Sequence, residues 1–439
     1  MSKKENIQIT ERGHKKFLNS LKRQGKLRNT NSVGESAMHS KNVRHIVKIK
    51  DVFSKANVLE NKENRFKIPS TFSLVDEPSK SFKFLKDLLF SLYRQDSINI
   101  EIDFKDCERI DLDASICMDI ILKDIIGYYK KRSSYGYRNY VKSIRIINTS
   151  LKIKKFLYST GAYKNINNFD YKDPSVISYP LCIGFRTHKS NDEAREAKKE
   201  LDVTALVDYV ISCLKKMNKP ELTAKAKKYI ANISGEIITN AEDHSSTNHR
   251  YSIGYFEDSI DDNENHVGIF NLVILNFGET IYERLNNPEV CKNQEIVTRM
   301  EELSSKYTKK NWFTGESFKE ETLWTLYALQ DGVSSISPHR GNGTINFIDC
   351  FFGLKGDDGV DNLSKMTILS GNSSITFDGK YKTKIRMKGA DEQKVMTFNE
   401  EGDISNKPDS DYVKFVQNYF PGTIIIAKIF IQEDDLKTS

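Results

Sequence analysis

The sequence predicts an α/β protein of more than one domain, and three observations predict it. At 439 residues the chain has the length of two to three domains, each able to bury a core. The N-terminal half places a β-branched alternating run before an apolar helical run and then repeats the pair. The C-terminal half places one long amphipathic helix before several apolar strands punctuated by glycine.

Residues 1–50 hold 13 Lys/Arg against 3 Asp/Glu, a net of +10, whereas the other 389 residues hold 54 against 57. This basic arm is poor in apolar residues until Ile46, so it suits nucleic acid, an acidic protein surface or plain solvation. Leu59–Ser70 reads as a connector. Ile98–Phe104, INIEIDF, alternates and is β-branched, the pattern of a strand. Cys107–Ile125 reads as a turn entering an apolar helix, Tyr129–Tyr140 as a basic Tyr-rich loop, and Ser143–Asn148 as a second strand. Leu151–Gly161 reads as a helix ended by its glycine. Strand, helix, strand and helix in turn predict a parallel α/β layer over residues 51–175. A polar connector follows over 176–200, then a second domain over 201–439.

Within the second domain, Glu221–Ser245 carries Ile230, Ile233, Ile237 and Ala241 at the spacing of one helical face. Glu236, Asn240 and Asp243 fall at i, i+4 and i+7 and make a polar seam bordering that face. A carboxylate there suits a general base for water, and an amide oxygen suits Mg²⁺. A merely solvated helix border has the same pattern. Leu272–Ile281, LVILNFGETI, reads as a buried strand turning at Asn276 and Gly278. Ala328–Ile348 ends a helix and runs through Arg340, Gly341, Asn342, Gly343 and Thr344 into an apolar stretch. Glycines without Cβ atoms let backbone N–H groups approach phosphate oxygens. Lys365–Ser374 reads as strand and turn, Lys382–Asp411 as a charged insertion, and Phe420–Phe430 as a Gly-Thr pair leading a buried strand.

The segments GEIITNAEDHS, ILNFGET, HRGNGT and PGTIIIA resemble, in order, the four nucleotide-binding boxes of the GHKL ATPases. That superfamily holds gyrase B, heat-shock chaperone ATPases, histidine kinases and mismatch-repair ATPases, all on the Bergerat α/β sandwich. The resemblance spans roughly Leu201–Gln432. It implies that ATP and Mg²⁺ are bound, that Glu236 activates the attacking water and that Asn240 holds the metal. It implies further that Asp243, Asn276, Gly278 and Thr423 lie at the nucleotide, with Arg340, Gly341, Asn342, Gly343 and Thr344 about the phosphates. Thr280–His339, which includes an amphipathic Trp-containing segment (Glu321–Gln330), would by that resemblance be the mobile lid; the residues alone read equally as a plain helical insertion. The chain departs from the pattern twice. The family's base-reading Asp is Asn276 here, and the second glycine of that box is Thr280.

IDFKDCERIDLDAS and IRIINTSLKIKKFLYSTGAY resemble the STAS domain of anti-sigma-factor antagonists. There a serine after the strand is phosphorylated. Aligned on Ile110-Asp111 the matching position is Asp113, a fixed negative charge suited to docking a partner; a two-residue shift makes it Ser115. Three functions follow. One is an ATP-driven conformational switch that acts through a protein partner or homodimer. Another is a serine kinase like the anti-sigma kinases, which carry His where His244 stands. The third is a nucleotide-gated scaffold that does not hydrolyse. A histidine kinase would need a phosphoacceptor on a helical hairpin, a setting that His14, His39 and His45 lack.

No run approaches 18 apolar residues and the N-terminus has no apolar signal core, so neither a membrane span nor secretion is expected. Six scattered cysteines without a CxxC argue against zinc and disulfides and for a reducing cytoplasm.

Overall fold

The computed structural model describes residues 64–94, 98–134, 141–174, 176–185, 192–243, 245, 249–260, 266–308, 318–330, 332–333, 343–355, 364–388 and 391–437. The basic arm lies outside them. The chain divides into two compact units, the first reaching Lys172 and the second comprising Ser159–Gly161 and Asp173 onward.

The first unit runs β1 (Arg65–Lys67), β2 (Thr71–Phe72), α1 (Pro78–Arg94), β3 (Ile98–Asp103), β4 (Arg109–Ile110), α2 (Leu112–Ser134), β5 (Val141–Ile147) and α3 (Leu151–Ser159). As the pattern predicts, its main sheet is parallel, in the order β1-β3-β5. Ile100, Ile102 and Ile144 are buried, as are Leu88 and Leu89 of α1 and Ile116, Ile120 and Ile121 of α2. Strand β1 falls inside the expected connector Leu59–Ser70. It is anchored by Arg65, whose Nη2 donates to Asp103 Oδ2 at 2.7 Å, with Phe66 and Ile68 buried beside it. Helix α2 runs to Ser134, over the first half of the expected loop Tyr129–Tyr140, because no glycine or proline interrupts Tyr129–Ser134.

Asp113 is not the docking charge expected of it. It is 1% exposed, and its carboxylate accepts the backbone N–H groups of Leu74 at 3.1 Å and Ala114 at 2.7 Å. Burial, reinforced by the negative Asp111, pushes its carboxyl up to about 7. Ser115 is buried equally deeply, so neither register offers an accessible acceptor. At the surface of this turn Arg109 Nη2 lies 2.8 Å from Oδ2 of half-buried Asp111 and is also paired to Asp76.

The second unit runs β6 (Cys182–Phe185), α4 (Asp192–Lys216), α5 (Ala224–Asp243), β7 (His249–Ile260), β8 (His266–Phe277), α6 (Ile281–Leu285), α7 (Gln294–Thr308), α8 (Glu320–Ala328), α9 (Gly343–Lys355), β9 (Lys365–Phe377), β10 (Lys384–Lys388), β11 (Asp391–Val395) and β12 (Val413–Ile431). Five strands form an antiparallel sheet in the order β6-β7-β8-β12-β9, and β10 and β11 pair as a separate ribbon. One sheet face carries Phe270, Leu272 and Ile274 of β8 and Ile425, Ala427 and Ile429 of β12. These enter one core with Leu206 and Val210 of α4, Ile230, Ile233 and Ile237 of α5, and Ile345 and Ile348 of α9.

Five expectations change here. The connector 176–200 holds β6 and the start of α4, since β6 pairs with β7. The insertion Lys382–Asp411 contains the β10–β11 ribbon. The last strand starts at Val413, and Lys365–Ser374 continues as strand to Phe377. The stretch Thr280–His339 holds α6, α7 and α8. The six residues Thr322–Tyr327 of α8 are all buried, and Trp324 Nε1 donates to Ser304 Oγ of α7 at 3.2 Å. A helix buried all round belongs to the core, which rules α8 out as a mobile cover.

Candidate functional site

The site starts from the alternation of three adjacent strands. Along β8 the helix-facing series Phe270, Leu272, Ile274 ends at Asn276. Along β12 the series Ile429, Ala427, Ile425 ends at Thr423, and along β9 Met366 and Ile368 lead to Ser370. Thr423 lies opposite both Asn276 and Ser370 in the strand register. Residues directly opposite in a sheet share a face. At one row, therefore, the floor beneath the helices changes from apolar to polar across three strands.

Ser370 Oγ lies 2.9 Å from Thr423 Oγ1 and accepts from the backbone N–H of Ile281 at 3.0 Å. Asn276 differs. Only 2% of it is exposed, yet its Nδ2 has no hydrogen-bond partner among the described residues. An unpaired buried amide costs about 1–3 kcal/mol, so a group left in that condition calls for an explanation.

The end of this row depends on glycine. Gly422 has φ +142°, and a Cβ built on it would stand 2.1 Å from the Asn276 carbonyl oxygen. Only glycine lets β12 approach β8 so closely. Gly278, just past Asn276, is buried and donates its N–H to the Pro421 carbonyl at 3.1 Å. Thr280, where the family pattern has its second glycine, is the N-cap of α6. Its hydroxyl accepts from Glu283 N at 3.1 Å, and its own N–H donates to Glu283 Oε2 at 2.9 Å. The departure has a local cause, since the chain enters a helix immediately here.

The polar seam of α5 lies on the side turned to α9. A Cβ on Gly353 would stand 2.6 Å from the Tyr229 ring, and Asn232 Nδ2 donates to Cys350 Sγ at 3.6 Å. Those two contacts make the helices antiparallel. Carried on by one and two turns, the same register sets the first turn of α9 alongside Glu236 and Asn240. Gly343 and Thr344 form that turn, Thr344 half-buried. A helix N-terminus presents unpaired N–H groups and favours negative charge. Glu236 and Asn240 are half-buried, and burial raises the Glu236 carboxyl above its usual value. Asp243, in the last turn, is exposed. Arg340, Gly341, Asn342 and His244 lie outside the described residues.

Three features of this end of the sheet escape sequence reasoning. Ser370 is one, although it continues the alternation of Met366 and Ile368 and was legible that way. Gly422 is the second. The third is a buried ion network. Arg250 of β7, fully buried, donates its Nε to Glu242 Oε1 of α5 at 2.7 Å and pairs with Asp202 of α4. Lys199 Nζ lies 3.9 Å from Glu242 Oε2. Opposite Arg250, Gly184 leaves the room its guanidinium occupies, since a Cβ there would stand 2.6 Å from Arg250 Cζ. Glu242 sits within the motif of the polar seam, but nothing local marks it as the residue that turns inward.

No family model, curated protein or solved structure matches the chain. Among the described residues no helix is long and apolar enough to cross a membrane, and no cluster of three His, Cys, Asp or Glu is placed to hold a metal.

Proposed function

We propose that the second unit is a GHKL-type nucleotide site that binds and hydrolyses ATP with Mg²⁺ and works as a nucleotide-driven conformational switch. The observation that carries this reading is the buried, unpartnered Asn276 amide in a polar row, on the sheet face that shares a core with the helix bearing Glu236 and Asn240. The row supplies the base end, and the first turn of α9 supplies the phosphate end.

The residues present suit Mg²⁺ in one specific way. Among the described residues no cluster of carboxylates could hold the ion alone, whereas Asn240 offers one amide oxygen, and Mg²⁺ is commonly held by one or two protein groups together with substrate phosphates. Bound there, the ion would neutralise phosphate charge. Glu236 would take the proton of a water as its oxygen bonds to the γ-phosphorus and the bridging P–O bond to ADP breaks. A carboxyl raised by burial is the stronger base for that transfer. The first unit, STAS-like in this reading, would engage a protein partner. With Ser115 buried, phosphorylation of that unit at this position is disfavoured.

The test is phosphate release and labelling by the full chain with γ-labelled ATP. Free phosphate supports the ATPase, a labelled protein the serine kinase, and tight binding with neither the scaffold. Glu236→Ala should retain ATP binding and lose about 10²- to 10⁴-fold in hydrolysis. Asn240→Ala should weaken Mg²⁺-dependent binding itself. Hydrolysis by Glu236→Ala at the wild-type rate would remove Glu236 from the mechanism. Failure of the wild type to bind ATP would remove the proposal.

A further inference from the structure

We infer that this site does not distinguish 6-amino from 6-oxo purines and takes adenine and guanine nucleotides alike, with Asn276 as the residue responsible. The inference rests on the nucleotide-site reading above and deepens it. Asn276 is the last helix-facing residue of β8, its side chain is buried, and its Nδ2 has no acceptor among the described residues. Its two lateral neighbours on the floor do not supply one. Thr423 and Ser370 lie on the β12 and β9 side of the row, and their hydroxyls are within hydrogen-bond distance of each other. On the other side, Arg250 turns its guanidinium to Glu242 and Asp202 and offers only donors. No hydrogen bond within the row therefore fixes which end of the carboxamide points where.

The consequence is a matter of donor and acceptor order. A carboxamide presents one acceptor and one donor side by side, and a half-turn about its last bond exchanges them. Adenine offers the N6 amino donor beside the N1 acceptor. Guanine offers the O6 acceptor beside the N1–H donor. An amide free to turn satisfies either pair with two hydrogen bonds. Each nucleotide would also pair the orphan Nδ2, which removes the cost it carries in the free protein.

The experiment is calorimetric titration of the full chain with non-hydrolysable ATP and GTP analogues in the presence of Mg²⁺. The expected result is that the two dissociation constants lie within about tenfold of each other. Asn276→Ala should weaken both analogues to a similar degree. A wild type that binds the ATP analogue more than 100-fold tighter than the GTP analogue would overturn the inference while leaving the nucleotide site standing. So would an Asn276→Ala protein that loses only one of the two. Binding of neither analogue by the wild type would overturn the proposed function, and this inference with it.

Discussion

Replacing Gly422 by alanine tests the closest backbone approach in the second unit. Gly422 has φ +142°, a region that costs a residue with a Cβ about 1–3 kcal/mol. The added Cβ would stand 2.1 Å from the Asn276 carbonyl oxygen and 2.9 Å from Phe277 Cα. Both are backbone atoms of β8, so no side chain can rotate away and the two strands must part. Overlap of that kind in a packed interior costs about 1–3 kcal/mol more. Together these give about 2–6 kcal/mol, which in a unit of this size lowers the melting temperature by roughly 5–15 °C. Gly235 in α5 is the internal control, since its Cβ would meet only Val203 Cγ2 at 3.7 Å, an ordinary contact. Gly235→Ala should raise stability by about 0.5–1 kcal/mol, the helix preference of alanine over glycine. Scanning calorimetry of the full chain reads both. If Gly422→Ala melts with the wild type, β12 does not lie against β8 as described, and the row that ends at Asn276 loses its support.

Arg250→Met should destabilise the second unit by about 3–5 kcal/mol in urea titration, because Glu242 and Asp202 lose their buried partner. The double variant Arg250→Met with Glu242→Met should recover most of that loss, and a double variant as unstable as the single would show that the network is not the cause. In the first unit, Asp113 titrates near 7 when folded, well above its unfolded value, so the folded state holds a proton that the unfolded state has lost. Its contribution is complete at pH below about 4 and fades as pH rises to about 7. Asp113→Asn should flatten that part of the pH profile relative to wild type, and identical slopes in the two proteins would refute the assignment.

What the chain declares by itself is whatever repeats over a few residues. The 3.6-residue recurrence of Ile230, Ile233 and Ile237 located α5 and set Glu236 and Asn240 at the border of its buried face, and both are half-buried. The alternation of INIEIDF located β3, and the strand–helix order implied the parallel pairing of β3 with β5. Elements too short to show a period did not announce themselves. The four-residue β6 and three-residue β1 read as connector, because what makes them strands is pairing with β7 and β3. The burial of Thr322–Tyr327 was equally silent, for a helix enclosed on every side has no polar face to give it phase. Asp113, read as a docking charge, and Glu242, which nothing local marks, both lie inside, held by Leu74 N–H and Arg250 from elsewhere in the chain. The polar row is the clearest case. Asn276, Thr423 and Ser370 each follow from the alternation of their own strands, but only the lateral register of β8, β12 and β9 sets them side by side. That register is decided by hydrogen bonds between residues far apart in sequence, and by a glycine that lets two backbones meet, so it exists only once the chain has folded.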